Sequence, residues 1–206
     1  RDEQAGGTWM AVGRSGRFAA ITNFRDPEAS SGTRSRGELP LAWLEWNGAI
    51  GEFAHKLHAE KAPYGPFNLV FGDMHELWAV GTHAEPVSVT PGVHALSNHL
   101  LDTPWPKSIR AVRRMERWLE VGAEDIDGLL DLLDDRQPAD DHELPDTGVG
   151  REVESMLSSP FIVSDRYGTR SSSALLLGPT ITMAERTFGV HGETTGERSF
   201  SWQRPD

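Results

Sequence analysis

The chain has 206 residues, 37% hydrophobic and 25% charged, a globular balance that argues against disorder. It contains no cysteine, which excludes disulfides, thiolate metal sites and a cysteine nucleophile within these residues, and no apolar run approaches the roughly 20 residues that span a bilayer. The net charge of −11 is concentrated between Glu124 and Asp146, where ten acidic residues stand against Arg136 alone; no basic surface favours nucleic acid.

The length suits a single domain over residues 1–206. In chain order, Thr8 to Val12 and Arg17 to Thr22 are β-leaning runs separated by Gly13-Arg14-Ser15-Gly16, which predicts a hairpin. Asn23 to Gly37, rich in Arg, Ser, Gly and Asp, reads as a long polar loop. One helix is expected from about Leu39 to Lys61, with Leu41, Leu44, Phe53 and Leu57 among its apolar positions and Gly48 and Gly51 weakening its middle. Phe67 to Phe71 and Leu77 to Val80 flank the turn signal Gly72-Asp73, and Val87 to Thr90 leads through Pro91-Gly92 into His94 to Asn98. The apolar run before Ser97, Asn98 and His99 predicts a strand that delivers these polar groups to an edge or cleft.

Pro104 and Pro106 each fix φ and lack an N–H, which places Trp105 on a stiff loop. The spacing of Ile109, Val112, Met115, Trp118 and Leu119 predicts a helix from Pro106 to Glu120. A shorter helix follows over Asp125 to Leu133, then an acidic loop from Pro138 to Pro145 and one or two helical turns over Glu152 to Leu157. Strands are expected at Phe161 to Ser164, Ser173 to Leu177 and Ile181 to Phe188. Strands, then helices, then strands again predict an α+β fold with helices packed on antiparallel sheets.

Several groups have the chemistry of a site. Gly6-Gly7-Thr8-Trp9 offers close backbone approach and a large flat face, with core packing as the plainer reading. Arg34, Ser35, Arg36 and Gly37 suit an anion cradle or a flexible surface loop. Lys107, Arg110, Arg114 and Arg117 share a helix face that either steers an anion toward Asn98 and Trp105 or pairs with the acidic segment, itself read as a solvated face. His55 and His58 stand one turn apart with no third ligand at an obvious interval, so no metal site is assigned. His75, His83, His94, His99, His142 and His191 are scattered; any can ligate a haem iron, and spacing selects none. Tyr167 to Ser173 feeds Arg170 and three hydroxyls into a core strand, as at a strand-end site, although Ser-rich loops before strands are common.

Taken in order, Gly6 to Trp9, Gly16 to Ala20, Thr22 to Arg25, Ser35 to Gly37, Phe67 to Leu69, Gly72-Asp73, Leu96 to Asn98, Leu101 to Lys107, Leu144 to Gly148 and Tyr167 to Ser172 resemble the NRDE family, also called the transport and Golgi organisation 2 family. The resemblance covers nearly the whole chain. It implies an N-terminal nucleophile hydrolase-like fold, a four-layer αββα sandwich of two antiparallel sheets flanked by helices. Family members typically begin with a cysteine exposed by removal of the initiator Met and then carry an Asn-Arg-Asp-Glu signature. Arg1-Asp2-Glu3 stands directly before the Gly6 to Trp9 segment and is not that signature, so the chain is expected to lack its family-type beginning.

The N-terminal nucleophile mechanism uses the terminal amine as base for a nucleophile on the same residue; Arg1 supplies none, and no Gly-x-Ser-x-Gly elbow occurs. The resemblance makes Asn98 an oxyanion-stabilising candidate and Arg170 a charge-stabilising candidate. It also implies haem mobilisation or trafficking; lacking a terminal nucleophile, the chain as it stands is not expected to catalyse hydrolysis, and no cofactor is required. Haem would lie among Trp9, Arg36, Asn98, Trp105, Lys107 and Arg170, apolar faces for the macrocycle and cations for its propionates. The alternatives are an amidohydrolase cleaving a non-peptide C–N bond with an upstream cysteine, and a module that binds lipid, acyl-coenzyme A or a protein through the acidic segment. A cytoplasmic location is expected, and the oligomeric state is left open.

Overall fold

The computed structural model describes residues 6–122 and 125–205; Arg1-Asp2-Glu3 and Glu124 lie outside the described residues. The chain forms two compact units, one from residues up to Gly92 with Leu96–Leu101, the other from Val93–Ala95 and Asp102–Gln203. Each carries an antiparallel sheet and helices, which makes the class α+β. Among the described residues, no helix is long and apolar enough to cross a membrane.

In the first unit β1 (Met10–Val12), β2 (Phe18–Asn23), β3 (Phe67–Gly72), β4 (Leu77–Gly81) and β5 (Val87–Val89) are neighbours in that order, each antiparallel to the next. Pairing of Ala19 with Phe71, Ile21 with Leu69 and Leu69 with Val80 gathers these apolar side chains on one face, as the two-residue period of a strand requires. Helices α1 (Leu39–Glu45) and α2 (Ile50–Ala59) cover that face with Leu39, Trp43, Phe53, Ala54 and Leu57. Trp43, Phe53 and Phe71 form an aromatic triangle with ring centroids 5.0–5.3 Å apart. The Arg17 guanidinium lies 3.8 Å over the Trp43 ring, and its burial lowers its pKa.

The single helix expected from Leu39 to Lys61 is two. Trp46 turns to an extended conformation, its indole Nε1 donates to the Ala49 carbonyl at 3.1 Å, and Glu52 accepts the Ala49 N–H to open the second helix. Gly48 sits in the break, while Gly51 lies inside α2, where a Cβ would come 3.2 Å from the Trp78 ring. The run His94 to Asn98 is a loop instead of a strand. Its backbone acceptors are engaged by side chains of the sheet: Thr22 donates to the Ser97 carbonyl at 2.8 Å and Asn68 to the His99 carbonyl at 2.8 Å.

In the second unit β6 (Ser171–Leu176), β7 (Thr180–Phe188) and β8 (Thr194–Gln203) form an antiparallel sheet in that order. Helix α3 (Pro106–Glu120) starts with Trp105 as its N-cap and Pro106 in its first turn, so the proline pair helps to start a helix. Helix α4 (Ile126–Leu132) is capped by the Asp125 carboxylate and packs Leu130 with Ala174 and Ala184; α5 (Arg151–Met156) follows. No strand forms at Phe161 to Ser164, where an isolated bridge joins Val163 to Gly168 and Thr169 closes a local loop on Ile162 through its N–H and hydroxyl. The ten-residue β8 has no counterpart in the expected elements. Its sequence is polar and interrupted by Gly196, so it lacks an apolar strand signature and owes its conformation to pairing with β7.

Candidate functional site

Two glycines build the most distinctive surface of the first unit. Gly7 passes so close to Gly37 that a Cβ on Gly7 would fall 2.4 Å from the Gly37 carbonyl carbon, and the Thr8 N–H donates to the Gly37 carbonyl at 2.8 Å. Two of the stretches that carry the family resemblance, Gly6 to Trp9 and Ser35 to Gly37, are thus one junction. Its product is a pair of side chains: the indole of Trp9, 48% exposed, and the guanidinium of Arg36, 5.8 Å from its ring centre. Arg36 is anchored by donating to the Pro66 carbonyl at 2.8 Å, and burial lowers its pKa. Arg34 does not join it in an anion cradle; it pairs with Glu38 at 2.5 Å and lies over Tyr64, whose hydroxyl donates to the same carboxylate. Burial first, then that hydrogen bond and the Glu38 charge, push the Tyr64 phenol well above its usual pKa.

Asn98 is held firmly in the same unit. Its amide Nδ2 donates to the Asn23 carbonyl at 3.0 Å, its carbonyl accepts the Arg25 N–H at 2.7 Å, and the Ser97 hydroxyl donates to its Oδ1 at 3.4 Å. Beside it is an aromatic group that periodicity does not reveal. Phe24 stacks on His83 with centroids 4.3 Å apart and lies 5.0 Å from the His99 ring, while His83 pairs with Asp26 at 3.4 Å. These rings come from three separate stretches, so only the tertiary fold unites them. The motif Thr22-Asn23-Phe24-Arg25 was the one available signal.

The other predicted site residues belong to the second unit. Trp105 is 8% exposed, and Lys107 lies 5.5 Å from its ring centre while donating to the Leu157 carbonyl at 3.0 Å. Arg170 has an exposed side chain, and its carbonyl accepts the Phe188 N–H at 2.9 Å. In the same unit Asp102, at a φ of 57°, accepts from His94 Nδ1 at 2.6 Å and from the Ala95 N–H at 2.9 Å. Burial opposes ionisation of Asp102, but the His94 hydrogen bond, the Ala95 N–H and the His94 charge together hold its pKa below the ordinary carboxylate value.

The plainer reading of the basic α3 face holds in part: Arg110 donates to Asp135 at 2.8 Å and Arg114 to the Asp131 carbonyl at 2.7 Å, whereas Lys107 donates to the Leu157 carbonyl and Arg117 to the Arg113 carbonyl of its own helix. His55 and His58 do not converge. His55 packs edge-on to Trp78, His58 faces Lys61 and Glu85, and no group of three metal-ligating side chains occurs among the described residues. Glu154 escaped sequence reasoning altogether. Although 2% exposed, it accepts from both the backbone N–H and the hydroxyl of Thr147, which ties down the Leu144 to Gly148 stretch.

A profile of the family described as Transport and Golgi organisation 2 matches residues 1–189. The chain is similar to the Transport and Golgi organization protein 2 homolog of Bos taurus, 33% identical over 199 residues that cover 88% of this chain and 72% of the relative. It is 31% identical to the Homo sapiens homolog over 205 residues with the same coverage, and 30% identical to the Mus musculus homolog over 201 residues.

Proposed function

The chain belongs to the transport and Golgi organisation 2 family, and from that premise we propose that it binds and hands on a flat, largely apolar anion, with haem as the leading ligand. The observation that carries this reading is the Trp9–Arg36 pair. An indole that remains half exposed beside an anchored cation offers a stacking face for a macrocycle and a charge-assisted partner for a carboxylate. The neighbouring Phe24, His83 and His99 rings add aromatic surface and imidazole nitrogens in the same unit. The same proposal includes the four-layer αββα sandwich of N-terminal nucleophile hydrolases and a cytoplasmic location.

Titration of haem into the 206-residue chain tests the reading. A saturable change of the Soret band at one haem per chain is expected; a band that grows in proportion to added haem, without saturation, overturns it. A second reading rests on Asn98, whose amide is fixed by Asn23 and Ser97 as an oxyanion donor would need to be. In that reading a longer chain with an N-terminal cysteine cleaves a non-peptide C–N bond, and Asn98 stabilises the oxyanion. Turnover that disappears when that cysteine becomes alanine supports it, and turnover that survives the change removes it.

A further inference from the structure

The element that the amino-acid pattern hides is also the barest. In β8 every residue is exposed except Trp202, which is partly covered. Among the described residues its only strand partner is β7, so its outer edge carries a row of backbone donors and acceptors, the feature that recruits another strand. No proline interrupts the strand to block such pairing. Across the sheet Leu175 pairs with Met183 and Met183 with Phe200, so an apolar row runs to the free edge and ends on a phenyl ring that is 59% exposed.

We propose that this edge is a self-association surface: β8 pairs antiparallel with β8 of a second copy of this chain, joining two three-stranded sheets into one. The sequence selects the register. A two-fold axis perpendicular to a continuous sheet must lie midway between a residue and its own copy, because directly opposed residues point to the same face. An axis at Glu197 or Arg198 sets that charge against its own copy, and an axis at Ser201 sets Arg198 against the partner's Arg204. An axis at Ser199 places Phe200 opposite the partner's Arg198 and interrupts the apolar row. An axis at Phe200 is free of these faults. It puts Phe200 on the partner's Phe200, Arg198 opposite the partner's Trp202, Ser199 opposite the partner's Ser201 and Glu197 opposite the partner's Gln203. The apolar row then runs unbroken through both copies.

The absence of native cysteine makes this directly testable. Single cysteines placed in turn at Glu197, Arg198, Ser199, Phe200, Ser201 and Gln203 are oxidised under mild conditions and the covalent dimer is measured. Residues facing their own copy across a two-fold axis have Cα separations of about 4.5–5.5 Å, within disulfide range, so Phe200→Cys is expected to cross-link fastest. Sedimentation of the unmodified chain at micromolar concentration should give twice the chain mass, and Phe200→Asp should give a monomer with an unchanged circular dichroism spectrum. A monomeric parent chain, or cross-linking that peaks at another position, overturns the proposal.

Discussion

An alanine at Gly7 has nowhere to go. Its methyl would lie 2.4 Å from the Gly37 carbonyl carbon, 2.5 Å from the carbonyl oxygen and 2.7 Å from the Gly37 Cα, all backbone atoms that no rotamer change can move. Relief requires the two chain segments to part by about 1 Å, which costs about 1–3 kcal/mol as overpacking. The Thr8 N–H to Gly37 carbonyl bond at 2.8 Å is lost with it, adding about 1 kcal/mol, whereas the stiffer unfolded chain gives back about 0.4–1 kcal/mol. The net loss is about 2 kcal/mol. Gly37→Ala is the control, because its methyl would meet the Thr8 nitrogen at 3.1 Å and the Gly7 Cα at 3.2 Å. A shift of a few tenths of an ångström accommodates that contact, for a cost below about 1 kcal/mol. Urea unfolding followed by circular dichroism measures both, with the slope checked for each variant because two compact units need not unfold together. Equal costs for the two substitutions, or a Gly7→Ala cost below about 0.5 kcal/mol, would refute the junction.

Phe71→Ala removes one corner of the Trp43–Phe53–Phe71 triangle and should cost about 3–5 kcal/mol in the same assay; less than about 1 kcal/mol would place that ring outside the core. The Asp135 carboxyl is depressed below its ordinary value because its bonds from Arg110 and the Gln137 N–H, with the Arg110 and Arg114 charges, outweigh the opposing effect of burial. A depressed folded-state pKa stabilises the fold above the unfolded value near 3.9 and loses that stabilisation as pH falls through the folded value. The parent chain should therefore exceed Asp135→Asn in stability by a constant margin at neutral pH that shrinks below about pH 4. A margin independent of pH would rule out the ion pair as its source.

Local pattern revealed what local chemistry determines. The β2–β3–β4 meander follows from runs of apolar residues divided by turn residues, with Asp73 accepting the His75 and Glu76 N–H groups in the turn after β3. Helix α3 follows from its apolar spacing and its opening proline. The break at Gly48 was visible as a weakness, but only the Trp46 indole and the Glu52 cap decide that the chain turns there. β8 was illegible because its partner, β7, supplies the order that its own composition does not. At the candidate site, residue types were readable and company was not. Trp9 and Arg36 stand 27 positions apart and meet through a glycine contact that no periodicity encodes, and Phe24 meets His83 and His99 from distant stretches by ring contact alone.

The most direct test of the proposed function compares haem dissociation constants of the parent chain and of Arg36→Met, which keeps much of the side-chain volume and removes the cation. Loss of a charge-assisted bond worth about 1.5–3 kcal/mol should weaken binding about 10- to 150-fold, with Trp9→Ala weakening it independently. Equal haem affinity in the parent and in both variants would contradict the assignment of this surface as the ligand site.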